Sequence, residues 1–170
     1  MKTLLPWAVC VGILAVAPAQ RCAGLQADAG MKGHHCAMNA GDRADKGMGF
    51  SQETTTHHFT LTRNGGEIGV SAKDASDSKS RDQVRMHLSH IAHAFADGDF
   101  DIPMFVHDQV PPGVPTMKAR KERIQYRYEE TEAGGKVVIV TEDSEARDAI
   151  HEFLRFQIRE HKTGDSLDVR

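Results

Sequence analysis

The chain has 170 residues, with 21 Lys and Arg against 24 Asp and Glu, and a net charge of −3. That length suffices for one domain with its own core. The mild negative charge gives no electrostatic reason to expect nucleic acid or an anionic membrane as a partner.

The first segment, MKTLLPWAVCVGILAVAPA, carries one lysine, an apolar run from Leu4 to Val16 and a small-x-small site at Ala17-Pro18-Ala19. This layout predicts a secretory signal peptide over residues 1–19 and a secreted or periplasmic protein after cleavage. The apolar run falls short of the roughly 20 residues a membrane span needs, and Gln20-Arg21 before Cys22 argues against a lipid-anchored cysteine. Cleavage would remove Lys2 and no acid, leaving a net charge of −4.

Residues 20–56 contain few large aliphatic side chains, and their composition predicts a flexible tail. Within it, GHHCAMN places His34, His35, Cys36 and Met38 in five positions, with Met31 and Met48 nearby. Thiolate, thioether and imidazole together favour copper, as Cu(I). A Cys22–Cys36 disulfide would remove the thiolate and close a loop of about 15 residues, worth roughly 3 kcal/mol in the chain-entropy picture. Both readings of Cys36 stay open.

From His57 the pattern becomes that of a packed domain, predicted over 57–165. HHFTLTR alternates, Asn64-Gly65-Gly66 is a hairpin signal, and EIGVSAK alternates again. Val84, Leu88, Ile91 and Phe95 then repeat at helical spacing over about 80–96. After the loop GDFDIPMFVHDQVPPGVP the order returns. RIQYRYEE reads as a strand, Glu132-Ala133-Gly134-Gly135 as a turn, KVVIVTED as a strand, and a helix runs from Asp143 or Ser144 to about His161. Gly65-Gly66 aligns with Gly134-Gly135, Val84 with Ile150, and Leu88 with Leu154. The expected fold is α+β: a duplicated ββα unit forming one four-stranded antiparallel sheet, with two helices on one face and a polar opposite face.

The first of these helices carries His87, His90 and His93. Two histidines at i and i+3 can meet one ion, whereas three at that spacing cannot converge unaided. His87 and His90, joined by His107 and Met104 from the loop, therefore form a candidate copper or zinc site, with haem iron as a lesser candidate. The competing reading makes them packing residues, since His87 and His90 align with Phe153 and Phe156. His57-His58 could extend either site. An EF-hand reading of Asp97, Asp99, Asp101 and Asp108 lacks the loop glycine and the closing glutamate. Nucleophile, phosphate-loop and dinucleotide motifs are absent from the sequence, and His151-Glu152 reads as a surface pair.

The runs HHFTLTR, SRDQVRMHLSHIA, GDFDIPMFVHDQVPPGVP and IHEFLRFQIREHKTGD resemble a group of small secreted bacterial proteins without an established function. Some of these bear an aspartate carbamoyltransferase label. The resemblance covers about the last two thirds of the chain and implies its domain boundaries. The label implies a much longer two-domain α/β enzyme with a Ser-Thr-Arg-Thr phosphate cradle, which this sequence lacks.

The leading expectation is thus a secreted, non-catalytic metal-binding protein that handles copper, its ligands drawn from the tail and the histidine helix. The alternatives are a metal-free module that binds a protein partner, its contact tuned by histidine protonation, and a small enzyme using the same histidines.

Overall fold

The computed structural model describes residues 40–170. The expected signal peptide, the Cys22–Cys36 pair and the ligands His34, His35, Cys36 and Met38 lie outside the described residues.

Four eight-residue strands form the sheet: β1 (Thr55–Thr62), β2 (Gly65–Ala72), β3 (Ile124–Thr131) and β4 (Gly134–Thr141). They are antiparallel throughout, in the order β1-β2-β4-β3. Strand alternation sends Phe59, Leu61, Ile68, Val70, Val137 and Ile139 to one face, where all six are buried. On the other face Lys136 bridges Glu67 and Glu129, and Glu129 also pairs with Arg127. The sheet is therefore apolar on one side and charged on the other, and the fold is α+β as expected.

Two long helices cover the apolar face, α2 (Ser78–Ala96) and α5 (Ser144–His161). Each starts on an aspartate cap: Asp77 accepts from the Ser80 amide and Asp143 from the Ala146 amide. The stripe Val84, Leu88, Ile91 and Phe95 is at most 5% exposed, and Ile150, Phe153, Leu154 and Ile158 are equally buried. Burial of each such side chain contributes roughly 1.5–3 kcal/mol.

Each helix also ties down the hairpin of the other half. Arg85 in α2 donates to the Thr131 and Gly134 carbonyls at 2.7 and 3.1 Å. His151 in α5 donates its Nε2–H to the Thr62 and Gly65 carbonyls at 2.9 and 3.0 Å. His151, expected at the surface, is only 7% exposed, because it is the partner those two turn carbonyls need.

The glycine pairs differ from expectation in a small way. The hairpin turns are Arg63-Asn64 and Glu132-Ala133, and both glycine pairs begin the central strands instead. Close approach explains this: a Cβ on Gly65, at φ +147°, would lie 2.1 Å from the Ile139 carbonyl oxygen, and one on Gly134 would lie 2.2 Å from that of Val70.

Two segments are helical where the sequence reading placed a tail and a loop. Residues 40–48, placed by composition in the tail, form α1 (Ala40–Met48), and Ala44, Met48 and Phe50 join the core. These scattered apolar residues bury one stripe against the neighbouring loop, which sequence composition averages away. That loop folds as α3 (Asp101–His107) and α4 (Val114–Ala119). Pro103 is tolerated because it sits in the first turn of α3, where no helical amide bond is lost.

Candidate histidine-lined cavity

The site begins with periodicity. In β1, His57 falls on the same face as Phe59 and Leu61, so its ring points under the helices. In α5, Phe153, Gln157 and His161 follow at i, i+4 and i+8, placing His161 one turn beyond the core stripe. His87 lies at the edge of the buried stripe of α2, and His107 closes α3.

These four histidines, from four different elements, line one cavity of about 70 Å³. Met48, Ile102, Val106 and Phe153 are among its apolar walls. The His57 and His161 rings lie 4.8 Å apart between centroids, and His161 and His107 lie 5.3 Å apart. Phe50 packs edge-on against His87 at 5.3 Å and stacks on His57 at 5.8 Å.

Electrostatics follow from this crowding. Burial, then the neighbouring His87 and His58, lower His57 to about 4. Burial and His90 lower His87 to about 4. Burial and the rings of His57 and His107 lower His161 to about 3. His107 is also lowered by burial, against the opposing pull of Gln157 and Glu160. At neutral pH the cluster is neutral, so each ring keeps a nitrogen lone pair.

His107 Nε2–H donates to Gln157 Oε1 at 2.9 Å, and the His107 side chain is 7% exposed. Gln157 is 4% exposed, and its Nε2 in the cavity wall is buried without a partner among the described residues. A buried amide left unsatisfied costs about 1–3 kcal/mol. The free group is a donor, so it would take a hydrogen-bond acceptor and not a cation.

Of the four folded-domain residues singled out by sequence, His87 and His107 meet at this cavity. His90 and Met104 do not line it, and His90 is exposed. The alignment of His90 with Phe156 fails here, since Phe156 is 8% exposed and packs on His107. His93 is also exposed and turns its Nδ1–H back to the Ser89 carbonyl. Asp99 accepts from the Asp101 amide at the start of α3, a role in shaping the backbone. Sequence reasoning missed His161 and gave His57 only a marginal place, although strand alternation and the i, i+4, i+8 stripe both point to them.

Two rings sharing one ion through nitrogens about 2 Å away have centres roughly 5 Å apart. The His57–His161 rings are 4.8 Å apart but stacked at 24°, so their in-plane lone pairs do not converge, and His161–His107 lie 5.3 Å apart at 88°. As placed, no group of three His, Cys, Asp or Glu side chains among the described residues could hold an ion. Capture of an ion requires the rings to turn about their side-chain bonds. No helix among the described residues is long and apolar enough to cross a membrane. Comparisons with protein-family models, curated proteins and solved structures gave no match.

Proposed function

We propose that the protein binds a transition metal ion, copper first and zinc second, within the cavity lined by His57, His87, His107 and His161. The observation that carries this reading is the gathering of four neutral imidazoles around one small space, with the Met48 side chain in its wall. Imidazole suits copper and zinc, and a thioether inclines the set to copper. Haem fits poorly, because about 70 Å³ is well below the roughly 300–1,000 Å³ of organic-ligand pockets.

The tail residues His34, His35, Cys36 and Met38 would form a second, softer set, suited to capturing the ion before or after the cavity holds it. Secretion or export to the periplasm belongs to the same proposal and rests on the N-terminal sequence alone. We also read the two halves as copies of one ββα unit. In support, Arg85 and His151, which align, each cap the corresponding turn carbonyls of the opposite hairpin.

The experiment is a copper and zinc titration of the mature chain carrying His34→Ala, His35→Ala, Cys36→Ala and Met38→Ala. One ion per chain should bind, and adding His57→Phe with His161→Phe should lower its affinity at least a hundredfold while the fold persists. Unchanged affinity in that last variant would refute the cavity as the site.

A further inference from the structure

Gln157 gives the cavity a directed polar need. It reaches the wall from α5, one turn after Phe153 and one turn before His161. Its Oε1 is spent on the Nε2–H of His107, which orients the amide. The Nε2 end is buried and meets no acceptor among the described residues. An amide nitrogen carries two N–H donors, so what is missing is a lone pair.

The rest of the lining limits what can supply one. Neither lysine nor arginine borders the space, and burial keeps His57, His87 and His161 uncharged at neutral pH. A carboxylate or phosphate there would lack a counter-charge, and burying one costs far more than burying a neutral dipole. A water molecule needs about two to four polar partners, whereas Ile68, Val70, Leu88, Ile91 and Phe153 make this lining mainly hydrocarbon. An organic body with one acceptor suits both parts of the wall. A carbonyl oxygen fills that role without bringing a donor that needs a partner of its own.

Size sets the scale of the occupant. The space of about 70 Å³ is roughly half of a dry cavity of about 150 Å³ that admits benzene, so it fits about four heavy atoms. His57 and His161 also border an outer cleft of about 360 Å³, which puts the entrance beside their rings.

We propose that the cavity is a binding site for a small neutral carbonyl compound, its oxygen accepting from Gln157 Nε2 and its carbon body packed between α2, α5 and the sheet. The inference goes beyond the metal reading and does not rest on it. A carbonyl compound uses the side chains as they stand, whereas an ion requires the rings to turn. The two occupants exclude each other from the same space.

The test uses residues 20–170 kept metal-free with EDTA, and two probes of nearly one shape: acetone, and 2-methylpropene, in which a CH₂ group replaces the oxygen. Binding is followed by NMR. Acetone should bind saturably and shift the side-chain amide signals of Gln157 more than those of the other Gln and Asn residues. Gln157→Met keeps the length of the side chain and removes the donor, and it should lower the ratio of acetone to 2-methylpropene affinity at least tenfold. Taking the ratio cancels the hydrophobicity of each probe and any change of cavity shape. Absence of saturable binding by acetone would overturn the inference and mean that the cavity is closed or filled with water. An unchanged ratio in Gln157→Met would overturn it as well, leaving a plain apolar void. If Gln157→Met does not fold, the parent decides, and acetone binding that leaves the Gln157 amide signals unmoved refutes the inference. With EDTA present throughout, none of these outcomes bears on copper, so the two readings fail separately.

Discussion

His57, His87, His107 and His161 are separated by up to 104 positions in the chain, yet their rings border one small cavity. Each was visible in the sequence only as a position on a face. His87 lay at the edge of a helical stripe, and His57 kept the parity of Phe59 and Leu61. What one sequence could not supply was the distance between elements, which depends on where α5 and α3 end over β1. The pull toward His90 came from spacing within one helix, which says nothing about the facing elements.

The buried hydroxyl of Tyr126 is a second residue-scale feature. It has no partner among the described residues, and burial raises its pKa. Tyr126→Phe removes an unsatisfied group while keeping the ring that packs on Phe95. Denaturant unfolding should show a change between zero and about 1 kcal/mol of added stability. A loss above about 1 kcal/mol would mean that the hydroxyl has a partner in solution.

Among the elements, the helix stripes and caps were legible because period and capping chemistry are local. The roles of Arg85 and His151 were not, since both bond to carbonyls at least 46 positions away. Removing either leaves two turn carbonyls short of a donor, at about 1–3 kcal/mol for each buried group. His151→Ala should therefore cost about 2–4 kcal/mol. Arg85→Ala should cost less, since its bonds are only partly buried and water can replace them. Equal costs, measured by thermal unfolding, would contradict this ordering. The helical folding of 40–48 and 101–107 escaped prediction for a related reason: both are short and draw their order from burial against each other and the core.

For the whole molecule, the single antiparallel sheet, its polar outer face and the helix-covered core agree with the alternation and stripes read from the sequence, while the strand order β1-β2-β4-β3 comes from the structure alone. The histidine cluster adds a pH dependence. The unfolded chain binds protons at these rings below the ordinary value of 6.5, whereas the folded chain resists until about 4 at His57 and His87 and about 3 at His161. Across that window the unfolded state holds more protons, so stability falls as pH is lowered. Every tenfold loss of proton affinity on folding corresponds to about 1.4 kcal/mol, so protonating the cluster consumes several kcal/mol, a large part of a typical domain's stability. Urea midpoints should decline from pH 6.5 to 4, and His57→Phe with His161→Phe should flatten that decline. A wild-type midpoint independent of pH over this range would contradict the buried, neutral state of the cluster.

The same neutral state makes metal binding in the cavity testable by pH. An ordinary histidine site loses metal as its rings protonate below pH 6.5, whereas His57, His87 and His161, lowered by burial to about 4, 4 and 3, face little proton competition at pH 5.5. The measurement is copper affinity of residues 20–170 with the four tail substitutions, by chelator competition, at pH 7.5, 6.5 and 5.5. One ion per chain should bind, with affinity changing less than threefold across the series after correction for the chelator. Absence of stoichiometric binding, or an affinity that falls tenfold or more by pH 5.5, would contradict it.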